Sequence, residues 1–220
     1  MKKGNLVLPA NKNYEYGFES AYKLACEQLA ELEDVNQQCL NSGAQYLEVD
    51  TRQVIVIEYL NRSYQIILPE IEILLMEGQE EVSMKDKVLI LHYFLRAKGT
   101  PVMHQTVTYK DLPQAANYFP TFVKRTVKPL LSHFGKEPHR LIDAAEKLGG
   151  HKADFGDAAV TINAFRQVPI TIVLWRGDDE FTPEGSILFD NTIADYLSSE
   201  DIVVLCETIS WRLVKSLREA

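Results

Sequence analysis

The sequence predicts an α+β fold in which antiparallel hairpins pack against about five or six helices. Two observations predict it. Stretches rich in β-branched residues come in adjacent pairs around short turns, as hairpins require. Helical stripes stand in groups of their own, whereas a doubly wound fold would alternate them with strands.

The elements follow in order. Residues 14–33 predict a helix: Tyr14, Phe18, Ala21, Ala25, Leu29 and Leu32 recur at helical spacing on one stripe. Asn41-Ser42-Gly43 breaks the pattern. Tyr46, Leu47 and Val49 begin a short β run. Residues 54–60 and 64–68 predict a hairpin turning at Asn61-Arg62, and Pro69 ends it because proline cannot donate to a ladder. Ser83 then caps a helix over residues 84–98, with Asp86 at its positive end and Gly99-Thr100-Pro101 after it. A strand is expected over residues 104–109. A helix over 120–134 carries Pro129, which weakens or kinks it. Pro138 opens another helix that ends at Gly149-Gly150. Residues 158–165 and 169–175 predict a second hairpin, and Ser198 or Ser199 caps a last helix to about residue 218.

The 220 residues suit a single domain over 1–220, with a weak candidate subdomain boundary at residues 77–82. The net charge of -8 argues against a nucleic-acid partner, which needs a focused basic surface. Lys124, Arg125 and Lys128 read as a solvated helix face. Cys26, Cys39 and Cys206 are too few and too far apart for a disulfide framework, which points to a reducing compartment. The apolar piece Leu6-Val7-Leu8-Pro9-Ala10 is too short for a signal-peptide core, and no stretch approaches the ~20 apolar residues that span a bilayer. A cytoplasmic location without membrane contact is expected.

No Walker-type loop, dinucleotide fingerprint, G-x-S-x-G elbow or H-E-x-x-H pair occurs. The densest polar feature is Trp175-Arg176-Gly177-Asp178-Asp179-Glu180-Phe181, followed by Ser186-Ile187-Leu188-Phe189-Asp190. Carboxylates grouped at a strand end hold a hard cation or share a proton. Asp178, Glu180 and Asp190 are therefore the candidate metal ligands. The competing account is a solvated acidic turn with Phe181, Leu188 and Phe189 docked on the core. His151 lies in a His-Asp-Gly segment that also reads as an ordinary turn. His92 lies within a helix beside Tyr93, where an isolated histidine is more often a packing residue than a ligand. Aromatic residues are dense around the centre, including Tyr93, Phe94, Tyr118, Phe119, Phe122 and Trp175. They form either core or the walls of a pocket for a flat cofactor.

Lys87-Val88-Leu89-Ile90-Leu91-His92-Tyr93-Phe94-Leu95, Tyr118-Phe119-Pro120-Thr121-Phe122-Val123-Lys124-Arg125, Gly177 to Phe181 and Leu188-Phe189-Asp190 carry a resemblance. Over roughly residues 15–215 the chain resembles the family called domain of unknown function 3786. The resemblance implies proteins of anaerobic bacteria and archaea, some of whose relatives carry a four-cysteine iron–sulfur domain similar to that of corrinoid proteins. This chain lacks that cysteine cluster, so the implied iron–sulfur role does not carry over to it.

Three functions follow as expectations. The first is binding of a small molecule, or accessory action, for a corrinoid or other tetrapyrrole in anaerobic one-carbon metabolism. His92, Tyr93, His151, Trp175 and Asp178 are its candidate cofactor-binding residues, with His92 or His151 as an axial ligand. The second is a protein–protein interaction module without a small ligand. The third is a divalent-cation enzyme using Asp178, Glu180 and Asp190. A non-catalytic role is expected ahead of catalysis.

Overall fold

The computed structural model describes residues 12–49 and 52–219. The reading of residues 1–10 lies outside the described residues, and so does the side chain of Tyr14. The described chain folds as α+β, with two antiparallel sheets and seven helical segments, two of which abut.

Helix α1 (Lys12–Ala30) is followed by α2 (Val35–Ser42), which the sequence reading did not separate from it. Asp34 starts α2 by accepting from the Gln37 N–H at 2.8 Å, and Gly43 ends it at φ 69°, a left-handed position where glycine carries no Cβ penalty. Strands β1 (Gln45–Val49), β2 (Arg52–Tyr59), β3 (Arg62–Leu68) and β4 (Glu72–Leu75) form the first sheet in that order. Tyr59 pairs with Arg62, so the β2–β3 turn is Leu60-Asn61, one residue earlier than expected. Both turn residues have positive φ, 49° and 61°, the backbone that a two-residue hairpin with the native twist requires. Leu60 holds this unusual conformation because it is fully buried and its N–H donates to the Ala164 carbonyl at 2.9 Å.

Helix α3 (Met84–Arg96) begins where expected, with the Ser83 side chain accepting from the Asp86 N–H. After β5 (Thr106–Thr108), α4 (Phe119–Arg125) and α5 (Val127–Phe134) abut at Thr126. Pro129 falls in the first turn of α5. Its ring excludes the carbonyl of residue 125 from a continuous helix, so the helix divides there and does not merely bend. Helix α6 (Arg140–Glu146) leads to β6 (His151–Ala153), β7 (Ala158–Phe165), β8 (Val168–Trp175) and β9 (Glu184–Asp190), and α7 (Ser199–Glu219) closes the chain. The second sheet runs β5-β9-β8-β7-β6.

The buried hydrophobic residues form one cluster that draws on both sheets and on the helices. Its centre is a column of rings. Tyr59 stacks on Phe165 at 4.8 Å, Phe165 on Tyr93 at 4.0 Å, and Tyr93 on Tyr196 at 5.6 Å between centroids. Among the described residues, no helix is long and apolar enough to cross a membrane.

Candidate functional site

Helices α1, α3 and α7 leave a cleft of about 340 Å³ between them. Phe18 and Ala21 of α1, Val88 of α3 and Val203 and Val204 of α7 form its apolar walls, and Tyr118, Arg125 and Glu200 stand at its rim. The polar group in the wall is a pair. His92 Nδ1 lies 2.7 Å from Asp201 Oδ1, with the two side chains 28% and 10% exposed.

Asp201 is fixed from its other side. Ser198 donates to Asp201 Oδ2 from its hydroxyl at 2.6 Å and from its N–H at 3.2 Å, and the Asp201 N–H returns to Ser198 Oγ at 3.1 Å. This reciprocal arrangement starts α7. One carboxylate oxygen therefore caps the helix while the other holds the imidazole. Burial pushes the Asp201 carboxyl upward, but the bonds from His92 and Ser198 outweigh it and hold the group below the usual carboxylate range. The positive end of α7 favours the anion as well.

An ionised Asp201 makes Nδ1 the donor of this bond, and in the neutral ring that leaves the lone pair on Nε2. That tautomer accepts a hydrogen bond, takes up a proton or ligates a metal. At the rim, Arg125 grips Glu207 through Nη2–Oε2 at 2.6 Å and Nε–Oε1 at 3.2 Å, and its Nη1 donates to the Tyr118 hydroxyl at 3.2 Å. Among the described residues, the cleft lining holds no serine, threonine or cysteine; its hydroxyl and carboxylate groups are those of Tyr118, Glu200 and Asp201.

The family model described as Domain of unknown function (DUF3786) matches residues 34–212, most of the chain. The chain belongs to the DUF3786 family. No curated protein and no solved structure matches it. The DUF3786 match includes His92, Asp201, Tyr118 and Arg125, whereas the α1 wall of the cleft precedes it.

The other residues singled out in this DUF3786 chain are dispersed. Tyr93 is fully buried, stacked on Phe165, and donates its hydroxyl to the Ser42 carbonyl at 2.8 Å, so it is a core residue that no ligand reaches. His151 is exposed on β6, and Trp175 is 42% exposed at the end of β8; neither lines the His92 cleft. Asp178 closes the β8–β9 turn on itself: its Oδ1 accepts from the N–H groups of Glu180 at 2.9 Å and Phe181 at 2.7 Å. Those backbone bonds, Phe181 first, lower its carboxyl from the usual range.

Asp178, Glu180 and Asp190 do not meet. Trp175 pairs with Glu184, while Asp190 pairs with Thr106 at the far end of β9, six residues or about 20 Å along the strand. The buried Asp190 accepts from the N–H groups of Met103, Gln105 and Thr192 and from the Thr192 hydroxyl, so it fastens the 103–105 segment to the start of a short 3₁₀ turn. Among the described residues no three His, Cys, Asp or Glu side chains gather as a metal site. The expected acidic triad is a turn lock and a loop lock at opposite ends of one strand.

Sequence reasoning singled out His92 but missed Asp201. The available signal was Ser198-x-x-Asp201, a capping pattern that places a carboxylate in the first turn of a helix.

Proposed function

We propose that the protein binds a small molecule in the His92 cleft. The body of the ligand is flat or apolar, and the imidazole Nε2 meets either a metal centre or an acidic hydrogen. The His92–Asp201 pair carries this reading. An imidazole held in one tautomer by a buried carboxylate, on the wall of an apolar cleft, is a positioned polar anchor of the kind ligand sites use.

Within that class, the ligand we take forward is a corrinoid or another tetrapyrrole, placing the protein in anaerobic one-carbon metabolism as a binding or accessory factor. Two points support it. A carboxylate-backed imidazole is oriented as a metal-binding imidazole is. The family resemblance also implies relatives joined to corrinoid-protein-type iron–sulfur domains. The cleft is at the small end for ligand sites. A macrocycle would therefore lie across its mouth with the metal over His92.

Absorbance titrations with cobinamide and with hemin test this. A shift from metal–imidazole coordination is expected with the wild type, to be abolished in His92→Ala and weakened in Asp201→Asn. A shift that survives His92→Ala would refute the site. No binding of either compound would refute the tetrapyrrole, and failure of small apolar acids as well would refute the ligand cleft.

A further inference from the structure

A second cleft, of about 420 Å³, lies at the other end of α7. Asp201 and Arg212 are eleven residues apart on α7, about 16 Å along its axis, so the two clefts are distinct. Four cationic side chains line the second cleft, Arg62 from the start of β3, Lys147 after α6, and Arg212 and Lys215 from α7, together with three carboxylates, Glu80, Glu81 and Asp86. Positions 212, 215 and 216 lie three and four residues apart, which puts Arg212, Lys215 and Ser216 on one helix face. The lining still carries an excess of one positive charge in a chain of net charge -8, and it gains a second where Glu80 moves away.

Arg212 is the built part of the site. Its Nη2 donates to Asp86 Oδ2 at 3.0 Å, and its guanidinium carbon lies 5.5 Å from the centre of the Tyr59 ring. Asp86 also accepts from the Tyr59 hydroxyl at 3.0 Å and the Ser83 hydroxyl at 2.7 Å. The guanidinium is thus fixed from behind. It has five N–H donors, more than Asp86 and the Tyr64 hydroxyl use, in a plane suited to carboxylate or phosphate oxygens.

The chain supplies its own anion here. Glu80, on the exposed segment between β4 and α3, places Oε2 2.7 Å from Arg62 Nη1. Its carboxyl is lowered by the bond to Arg62 and by the charge of Arg62, and further by Lys215 and Arg212. Glu80 is 74% exposed in its side chain, so it is not locked in place. A carboxylate already rests in the combined field of three cations, yet it carries only one charge.

We infer that this cleft binds a phosphate-bearing small molecule, with Arg62, Arg212 and Lys215 as its cationic contacts and Glu80 as the internal group it displaces. A multiply charged anion meets this field better than one carboxylate does, and the cleft is large enough for a diphosphate with part of its carrier.

Isothermal titration of the full chain with pyrophosphate at low salt tests the inference. Binding is expected, weakening as salt rises. Arg62→Ala with Lys215→Ala should weaken it by about tenfold or more, the loss of two charge-assisted contacts. Glu80→Gln should strengthen it about threefold by removing the competitor. Circular dichroism checks that the double variant is folded; should it not fold, the single variant Lys215→Ala and Glu80→Gln decide in the same way. Three results would overturn the inference: no binding to the wild type or to Glu80→Gln, pyrophosphate affinity indifferent to the substitutions, or binding only to phosphatidylcholine vesicles doped with phosphatidic acid, which would assign the cations to a lipid surface.

Discussion

His92 and Asp201 stand 109 positions apart in the chain, and 2.7 Å separates His92 Nδ1 from Asp201 Oδ1. The contact joins the middle of α3 to the first turn of α7 and borrows the helix cap to do so. The two partners therefore contribute unequally to stability, although they form one site.

Asp201→Ala removes the carboxylate half of the reciprocal cap of α7, leaving Ser198 Oγ on the residue-201 N–H, and it also removes the partner of His92. A loss of about 1–2 kcal/mol is expected, the usual cost of losing a capping side chain. His92→Ala leaves the cap intact and should cost under about 1 kcal/mol. Urea unfolding midpoints measure both. A costlier His92 variant would mean that the imidazole, and not the cap, holds the helix start.

Stability should fall in acid, and the sign follows from three aspartates. Asp190, Asp195 and Asp201 all have carboxyls held below the usual range. For Asp190 and Asp201 burial opposes this and hydrogen bonds overcome it; for Asp195 the bonds from Lys98 and Thr100 lead. A carboxyl that binds its proton less tightly when folded stabilises the fold above its unfolded pKa of about 3.9. That stability is lost as the pH drops through the lower folded value. Asp190→Asn should therefore lower stability at neutral pH and flatten its decline below about pH 4. A melting profile as steep as that of the wild type would exclude Asp190 as a contributor.

Three groups converge on the Asp86 carboxylate, the hydroxyls of Tyr59 and Ser83 and the guanidinium of Arg212, with the Asp86 side chain 12% exposed and that of Arg212 25% exposed. Asp86→Ala strands Arg212 and the Tyr59 hydroxyl together. Because the pair is not wholly buried, the expected cost is about 2–3 kcal/mol, below that of a fully desolvated pair. Adding Arg212→Met should recover part of it. A double-mutant cycle with no coupling would show that the pair is screened by solvent.

Phe165 belongs to β7 and stacks on Tyr59 of β2, one sheet against the other. Phe165→Ala should cost about 3–5 kcal/mol, and Phe165→Leu under about half of that. Equal losses would imply that the cavity collapses around either side chain.

The fold class was legible because it rests on periodicity. The stripe of α7 through Ile202, Leu205, Ile209 and Leu213 is buried, as its spacing implies, and Leu217 at its end is partly buried. Strand β9 was not foreseen. Ile187 and Phe189 alternate correctly and are buried, but the acidic run before them dominates the composition. The β6 segment was read as a turn, since three residues carry no period of their own. The site was legible only by half. A histidine within a helix gives no sign of what lies opposite it, and Asp201 comes to it through the crossing of α3 and α7. The acidic cluster misled for the complementary reason: nearness in sequence across a strand is separation in space.

The aromatic column has an optical consequence. Tyr59, Phe165, Tyr93 and Tyr196 are fully or almost fully buried and closely stacked, so their electronic transitions are strongly asymmetric only while the two sheets remain docked. The two tryptophans stand elsewhere: Trp175 at the end of β8, and Trp211 half-buried on α7 with its ring centroid 6.5 Å from that of His133. Near-ultraviolet dichroism of tyrosine and fluorescence of tryptophan thus report on different parts of one molecule without any label. Melting curves that coincide for the two signals would mean that the sheets and the outer helices come apart as a single cooperative unit.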